Sequence, residues 1–188
     1  MQLYHGDCLD KLKLIPDGSV DMVLADLPFG TTENAWDKKI PFAPLWEQLN
    51  RVCKTNAAML FFAQFPFAAE LCMSNRKMFR YEWIWQKSNK TGFLNANRMP
   101  LKAHENILVF YRRLPTYNPQ MVKGEAHTRG KSGNYSTNYG KFIRLNGSKS
   151  NLYYPTDILT HQHVFHSGEE QVHPTQKPVP LLEYLIKT

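Results

Sequence analysis

Apolar segments of strand length alternate with segments of helical spacing through the first 111 residues, and this alternation restricts the chain to an α/β layered fold. Strand-like segments lie at 2–5, 20–25, 57–63, 81–85 and 104–111. Helices are predicted at 8–14, 42–54, 67–78 and 179–187. Because helices commonly connect parallel strands, the pattern predicts a mainly parallel sheet, with ligands bound beyond the carboxyl ends of its strands.

The composition is that of an ordinary globular protein without a membrane span. A chain of 188 residues suits one domain. No apolar stretch approaches the ~20 residues of a membrane helix, and residues 1–5 lack the basic region and apolar core of a signal peptide. Cys8, Cys53 and Cys72 are scattered and form no disulfide framework. The sequence therefore predicts a cytoplasmic protein.

The positive charge is concentrated in one part of the chain. The formal net charge is +7, and residues 111–151 alone contain eight lysines and arginines against a single acid, Glu125. The other residues balance in charge. A basic segment attached to a neutral body is the pattern expected for a polyanion partner, although a solvated basic loop has the same composition.

The sequence character changes after Tyr111. Residues 112–170 are rich in Asn, Gly, Ser, Tyr, Lys and Arg and contain no long apolar run, which predicts a loop-rich insertion with small strands around 141–145. We therefore divide the chain into an α/β core at 1–111, a loop-rich insertion at 112–170, and a segment at 171–188 that returns to the core.

Residues 26–29, Asp-Leu-Pro-Phe, follow the apolar segment 20–25. Asp26 and the carbonyl of Leu27 can both accept hydrogen bonds from the exocyclic amine of a nucleobase and localise its lone pair. Pro28 restricts the backbone and favours an extended Leu27, while Phe29 offers a face for stacking. A base must leave the duplex to reach such a site. Taken alone, the tetrapeptide is more typical of a polar turn after a strand, with Asp26 as a cap and Phe29 in the core.

The surrounding motifs resemble those of amino-group DNA methyltransferases. The family's catalytic motif is usually Asp-Pro-Pro-Tyr or Asp-Pro-Pro-Phe, which Asp26–Phe29 matches except at Leu27. Further resemblance lies in the strand-end acid of His5-Gly6-Asp7-Cys8-Leu9, the strand 19–26, Trp85-Gln86-Lys87, the segment 104–110, and His173-Pro174-Thr175-Gln176-Lys177-Pro178. Their order is similar to the circularly permuted beta class.

This resemblance implies a Rossmann-like class I methyltransferase fold and S-adenosylmethionine as methyl donor. The expected catalytic residues are Asp26, Leu27, Pro28 and Phe29. The expected cofactor-binding residues are Asp7, Cys8, Asp26, Thr175, Gln176 and Lys177. No metal is required. An acid at the start of the motif favours adenine N6 over cytosine N4, and the absence of a Pro-Cys nucleophile argues against carbon-5 methylation.

Two departures from the family pattern modify the expectation. Leu27 keeps the backbone carbonyl but adds an N–H group and a free dihedral, so we expect slower or looser catalysis rather than its loss. The chain also ends at Thr188, before the Phe-x-Gly-x-Gly loop that holds the methionine part of the cofactor in this class. The fold is therefore expected to be incomplete at its carboxyl end.

Double-stranded DNA is the expected partner. Candidate phosphate contacts are Lys87, Arg112, Arg113, Arg129, Lys131 and Lys141. A restriction endonuclease system, or a complementing polypeptide that carries Phe-x-Gly-x-Gly, would complete the function. A DNA-binding subunit without activity of its own and a methyltransferase that acts on RNA or on a free amine stay alternatives. The histidines of 161–166 could bind zinc, but histidines in a loop fit the same pattern.

Overall fold

The computed structural model describes residues 1–128, 135–136, 140–141, 149–161 and 175–188. Its α-helices are α1 (Cys8–Leu12), α2 (Phe42–Val52), α3 (Phe67–Ser74) and α4 (Val179–Lys187). The longer strands are β1 (Val20–Asp26), β2 (Cys53–Ala63), β3 (Phe79–Thr91), β4 (Lys102–Phe110) and β5 (Val122–Thr128). The shorter strands are β6 (Tyr135–Ser136), β7 (Gly140–Lys141), β8 (Lys149–Tyr153) and β9 (Ile158–His161).

A five-stranded sheet in the order β1-β2-β4-β3-β9 forms the centre of the described structure. β1 is parallel to β2, and β9 is parallel to β3, but β4 is antiparallel to both of its neighbours. The prediction of a mainly parallel sheet is therefore wrong in this part. The reason is local: β3 and β4 follow each other through a short turn, which forces an antiparallel pair.

Helices cover both faces of this sheet. On one face α2 and α3 pack over Met59, Phe61 and Phe110, and α1 lies against the edge of the same cluster. On the other face α4 contributes Leu181 and Leu185 to a cluster with two buried tryptophans of β3. Leu181 and Leu185 thus form the packing face of α4, whereas Ile186 is 63% exposed. A helical layer on each face is the α/β arrangement that the alternating sequence pattern predicts.

Several predicted boundaries are corrected. Residues 2–5 form no strand, and Met1 and Leu3 are fully exposed, because no described strand lies beside them. The first helix ends at Leu12 rather than at 14. The helix predicted to reach 54 ends at Val52, because Cys53 has extended backbone angles and begins β2. The helix predicted to reach 78 ends at Ser74.

The segment 112–170 contains more strand than its composition predicts. β5 pairs with β8, and β6 pairs with β7. β9 joins the central sheet beside β3, and Trp85 Nε1 donates a hydrogen bond to the carbonyl of His161 at 3.0 Å. The small strands expected at 141–145 are represented by β7, and residues 142–145 lie outside the described residues.

Within the described residues, the helices are all too short or too polar to cross a bilayer.

Candidate active site

The site begins where β1 ends. Asp26 is the last residue of this strand, and it pairs with Phe62 of β2. Along β1 the apolar side chains alternate between the two core clusters, with Val23 and Ala25 on one face and Met22 and Leu24 on the other. This alternation fixes the register of the strand and therefore the position of Asp26 at its carboxyl end.

Two of the three residues after Asp26 anchor the following loop in the core. Leu27 and Phe29 are partly buried against the α2–α3 cluster, and the Phe29 ring stacks on Phe67 with centroids 5.2 Å apart and planes 28° apart. Gly30 then adopts a φ of +67°, and a Cβ there would lie 2.8 Å from Lys39 Cγ. A glycine is thus required by both backbone angle and space.

Asp37 holds the loop that follows Gly30. Its carboxylate accepts hydrogen bonds from the backbone N–H groups of Gly30, Thr31 and Thr32 at 2.8, 2.9 and 2.7 Å. Burial raises the pKa of this carboxyl, but the three N–H donors and the Thr32 side chain outweigh it, so the pKa falls to about 2. The Asp37 carboxylate therefore connects the end of the loop 30–37 to its first residues.

Replacing Asp37 with alanine should cost about 2 kcal/mol of unfolding free energy at pH 7, because the backbone donors lose their acceptor. The folded pKa is lower than the unfolded one, so this contribution is fully present above about pH 4 and is lost as the pH falls through about 2. Urea unfolding at pH 7 and pH 3 measures it. Asp10→Ala, at an exposed surface acid paired with Lys13, is the control, and an equal effect of both substitutions would contradict the assignment.

Three charged side chains meet beside Asp26. Lys177 Nζ lies 2.9 Å from Asp26 Oδ2 and 3.3 Å from Glu105 Oε2. Lys87 Nζ forms a close ion pair with Glu105 Oε1. The side chains of Lys87, Glu105 and Lys177 are 10, 7 and 13% exposed, whereas that of Asp26 is 37% exposed. We call Asp26, Lys87, Glu105 and Lys177 the charged quartet, and Asp26 is its open end.

The two acids of the quartet differ in electrostatic environment. Burial raises the pKa of Asp26, and the nearby Glu105 raises it further, which together outweigh the attraction of Lys177 and Lys87. Burial also acts on Glu105, but its two lysine neighbours prevail and lower its pKa. Glu105 is thus held ionised between two cations, while Asp26 is the acid whose proton affinity is increased.

The quartet forms part of the wall of a cleft of about 540 Å³. The cleft lies at the carboxyl ends of β1, β2 and β3, which run in the same direction. Its lining residues are Asp26, Leu27, Pro28, Phe29, Thr31, Thr32, Trp36, Asp37, Gln64, Trp85, Lys87, Thr91, Glu105, Thr175, Gln176 and Lys177. This volume is within the range of pockets that bind small organic ligands.

The model of a family described as DNA methylase matches residues 20–188. The chain belongs to this N6/N4 DNA methylase family. It is 26% identical to the type II methyltransferase M.BglII of Bacillus subtilis, over 98% of this chain and 55% of the relative. It is 27% identical to the DNA adenine methyltransferase YhdJ of Escherichia coli K12, over 98% of this chain and 65% of the relative. The chain thus spans little more than half of the one relative and just under two thirds of the other.

Solved methyltransferase structures share the fold. The PvuII DNA methyltransferase, described as cytosine-N4-specific, superposes with a TM-score of 0.65 at 14% identity, covering 98% of this chain and 68% of its own. A complex of M1.HpyAVI with SAM superposes with a TM-score of 0.54 at 18% identity, covering 98% and 75%. The mixed α/β sheet described above is therefore a methyltransferase fold.

Most of the site residues predicted from the methylase motifs meet in the cleft. The Asp26–Phe29 segment and the Thr175–Lys177 segment are 146 or more residues apart in sequence, yet Lys177 touches Asp26. Asp7 does not line the cleft: it is exposed and caps α1, where its side chain accepts a hydrogen bond from Leu9 N at 2.8 Å. Cys8 does not line it either, and burial raises the pKa of its thiol.

The residues predicted to contact DNA do not form one surface. Lys87 is in the cleft wall and pairs with Glu105. Arg112 and Arg113 lie at the opposite end of the sheet, where the Arg112 guanidinium donates to the Cys53 carbonyl and the Arg113 N–H donates to the Thr55 carbonyl. Arg129 and Lys131 lie outside the described residues, as does the side chain of Lys141.

Glu105, Asp37 and Trp36 line the cleft but are not predicted by the sequence patterns. Glu105 had a signal: it is an acid two residues before the apolar run 107–110 of β4, and a carboxylate that is buried in such a strand requires a cation. Asp37 and Trp36 are in a polar loop where no periodicity marks them. Among the described residues, no cluster of His, Cys, Asp and Glu is arranged to hold a metal ion, and residues 162–166 lie outside that part of the chain.

Proposed function

We propose that this methylase transfers a methyl group from S-adenosylmethionine to the exocyclic N6 amine of adenine in duplex DNA. The observation that carries the proposal is the position of Asp26, a carboxylate at the end of β1 whose pKa is raised, opening into the cleft beside Lys177. Asp26–Phe29 are its catalytic segment.

Asp26 activates the amine by accepting one of its hydrogen bonds. The lone pair of an adenine amine is delocalised into the ring. Hydrogen bonds from the amine to the Asp26 carboxylate and to the Leu27 carbonyl localise this lone pair on the nitrogen. Such preorganised electrostatic stabilisation commonly contributes several powers of ten to a rate. Asp26 is also placed to take up the proton that the amine loses, and its raised pKa suits that task.

Lys177 and Glu105 set the strength of this acceptor. Lys177 divides its charge between two carboxylates, since its ammonium lies within 3.3 Å of both. If Glu105 were absent, the whole charge of Lys177 would fall on Asp26 and compete with the incoming amine. Glu105 is therefore a positioning residue, which keeps Asp26 available for the base.

The lining of the cleft fits a cationic methyl donor. The described wall contains the acids Asp26, Asp37 and Glu105 and the lysines Lys87 and Lys177, so its formal charge is one unit negative. When bound, S-adenosylmethionine supplies a methyl group on a sulfonium, which an amine can attack directly. Thr175, Gln176 and Lys177 would hold it on the α4 side of the cleft. Asp7 and Cys8 are kept as proposed contacts, although neither lines the cleft.

The target base enters the cleft in a flipped conformation. Phe29 uses one face against Phe67, so its stacking role is limited to the other. Trp36, which lines the cleft and is 57% exposed, offers a second aromatic face. Stacking on an aromatic side chain contributes about 1–3 kcal/mol per base.

The proposal extends to the whole protein. Its motifs keep the circularly permuted order, with 112–170 as target-recognition insertion, Arg129, Lys131 and Lys141 on the DNA phosphates, and a further segment or polypeptide that completes the cofactor pocket. Type II methyltransferases among the relatives support a restriction-modification context in a bacterial or phage-infected cytoplasm.

Methylation by the purified protein tests the proposal. We expect tritium from S-[methyl-³H]adenosylmethionine to enter duplex DNA of mixed sequence, and mass spectrometry of the digested product to show N6-methyladenine. Detection of N4-methylcytosine instead would mean that the target base is cytosine, while the chain would still be a DNA methylase. Methylation of neither base, under conditions in which the protein binds the donor, would contradict the proposed function.

A further inference from the structure

Apolar side chains are exposed on the turn that connects β3 to β4. We call residues 92–101 the β3–β4 turn. Phe93, Leu94, Met99 and Leu101 are 75, 85, 54 and 39% exposed. Exposed apolar residues grouped in this way mark an interaction surface more often than residues scattered singly.

This turn is ordered. Gly92 adopts a φ of +90° and starts a 3-10 turn at Phe93–Asn95. Backbone hydrogen bonds of 3.0 Å run from Asn95 N to the Gly92 carbonyl and from Ala96 N to the Phe93 carbonyl, and Met99 N donates to the Asn95 carbonyl at the same distance. The apolar side chains are therefore presented by a defined backbone.

The turn lies at the mouth of the cleft. Thr91, the last residue of β3, lines the cleft and pairs across the ladder with Lys102, the first residue of β4. Lys102 Nζ lies 3.5 Å from Oε1 of Gln64, another lining residue. The β3–β4 turn therefore adjoins the wall of the cleft.

The charge of the turn points to a polyanion. Lys90, Arg98 and Lys102 are exposed, and no acid occurs between residues 88 and 104. Lysine and arginine neutralise phosphates, whereas Phe, Leu and Met are the side chains that proteins insert between base steps to open them. The basic side chains of the turn therefore suit contact with DNA phosphates, and its apolar side chains suit contact with the stacked bases.

We propose that the β3–β4 turn is a DNA-opening wedge: Phe93 and Leu94 insert beside the target base while Lys90, Arg98 and Lys102 contact the flanking phosphates. This inference rests on the proposed function and adds the surface that extrudes the base. It assigns DNA contact to a segment outside 112–170, at the end of the sheet where the cleft opens.

Binding to matched and mismatched duplexes tests the wedge without methyl transfer. Two fluorescein-labelled duplexes of one sequence are used, one fully paired and one with a central mismatch that contains 2-aminopurine. Insertion of a wedge costs less free energy at a mismatch, because the base is already partly unpaired. The protein should therefore bind the mismatched duplex about tenfold more tightly and raise the 2-aminopurine fluorescence.

Phe93→Ala/Leu94→Ala should reduce this preference to about onefold and remove the fluorescence increase. Leu114→Ala is the matched control, since Leu114 is 76% exposed and follows the other end of β4. Arg98→Gln should reduce the slope of log affinity against log salt by about one, whereas Arg76→Gln, an exposed arginine after α3, should not.

The outcomes separate this inference from the proposed function. If the double variant keeps the mismatch preference, the wedge is wrong, whether or not the protein methylates DNA. If the double variant instead loses self-association and its DNA binding is unchanged, the turn is a protein interface and the wedge is again wrong. If the unaltered protein binds no duplex at all, both proposals fall.

Discussion

Replacing Asp26 with alanine should lower kcat for methyl transfer by about 10²–10³-fold, because the amine loses the anionic acceptor that localises its lone pair. The same loss should appear in kcat/KM, since the interaction strengthens as the amine attacks. Binding of the methyl donor should change much less. Steady-state transfer to duplex DNA and thermal shift with the donor measure these two quantities separately.

Two further variants distinguish activation from folding. Asp21→Ala removes an acid of the same strand, whose exposed carboxylate pairs with Lys54 at 2.6 Å, and should leave kcat unchanged. Asp26→Asn keeps the size and one oxygen acceptor but removes the charge, so its kcat should lie between those of the original protein and Asp26→Ala. If Asp26→Ala and Asp21→Ala reduce kcat equally, Asp26 is a structural residue.

The position of Asp26 was predictable because two signals coincide. The apolar segment 20–25 predicts a buried strand, and a charged residue must lie where such a strand emerges. The same reasoning predicted α2 and α4, where apolar residues recur at helical spacing. Hydrophobic periodicity therefore predicted these elements, and the end of a predicted strand predicted the position of Asp26.

The rest of the site depends on pairings that periodicity does not encode. Glu105 reaches the cleft because β4 is antiparallel, so that its amino end lies beside the carboxyl ends of β2 and β3. A parallel β4, as the alternation predicts, would have placed this acid at the opposite edge. Lys177 was found only through a motif resemblance, since 175–178 has no local pattern that connects it with β1.

Glu105→Gln should lower the unfolding free energy at pH 7 by about 3–5 kcal/mol, the usual cost of removing one partner from a buried ion pair. The substitution leaves the ammonium of Lys87, which is 10% exposed, without its carboxylate. Urea unfolding measures the change. Glu70→Gln is the control: its pair with Lys39 at 2.7 Å is exposed on both sides, so less than about 1 kcal/mol should be lost.

The pH dependence of the stability follows from the direction of the pKa shift of Glu105. The pKa of Glu105 is lowered in the folded protein, so its stabilising effect is present above its unfolded pKa and is lost as the pH falls through the folded one. The stability difference between the original protein and Glu105→Gln should accordingly shrink in acid. A difference that grows in acid would show that Glu105 is not the ionised partner.

Two substitutions within the charged quartet should shift the acid limb of the kcat/KM profile in opposite directions. Lys177, Glu105 and Lys87 act on Asp26, and Asp37 lines the same cleft. Lys177→Met removes the nearest cation, so the pKa of Asp26 rises and the limb moves to higher pH. Glu105→Gln removes the neighbouring anion, so the pKa falls and the limb moves to lower pH. Shifts in the same direction would mean that Asp26 is not the group that titrates.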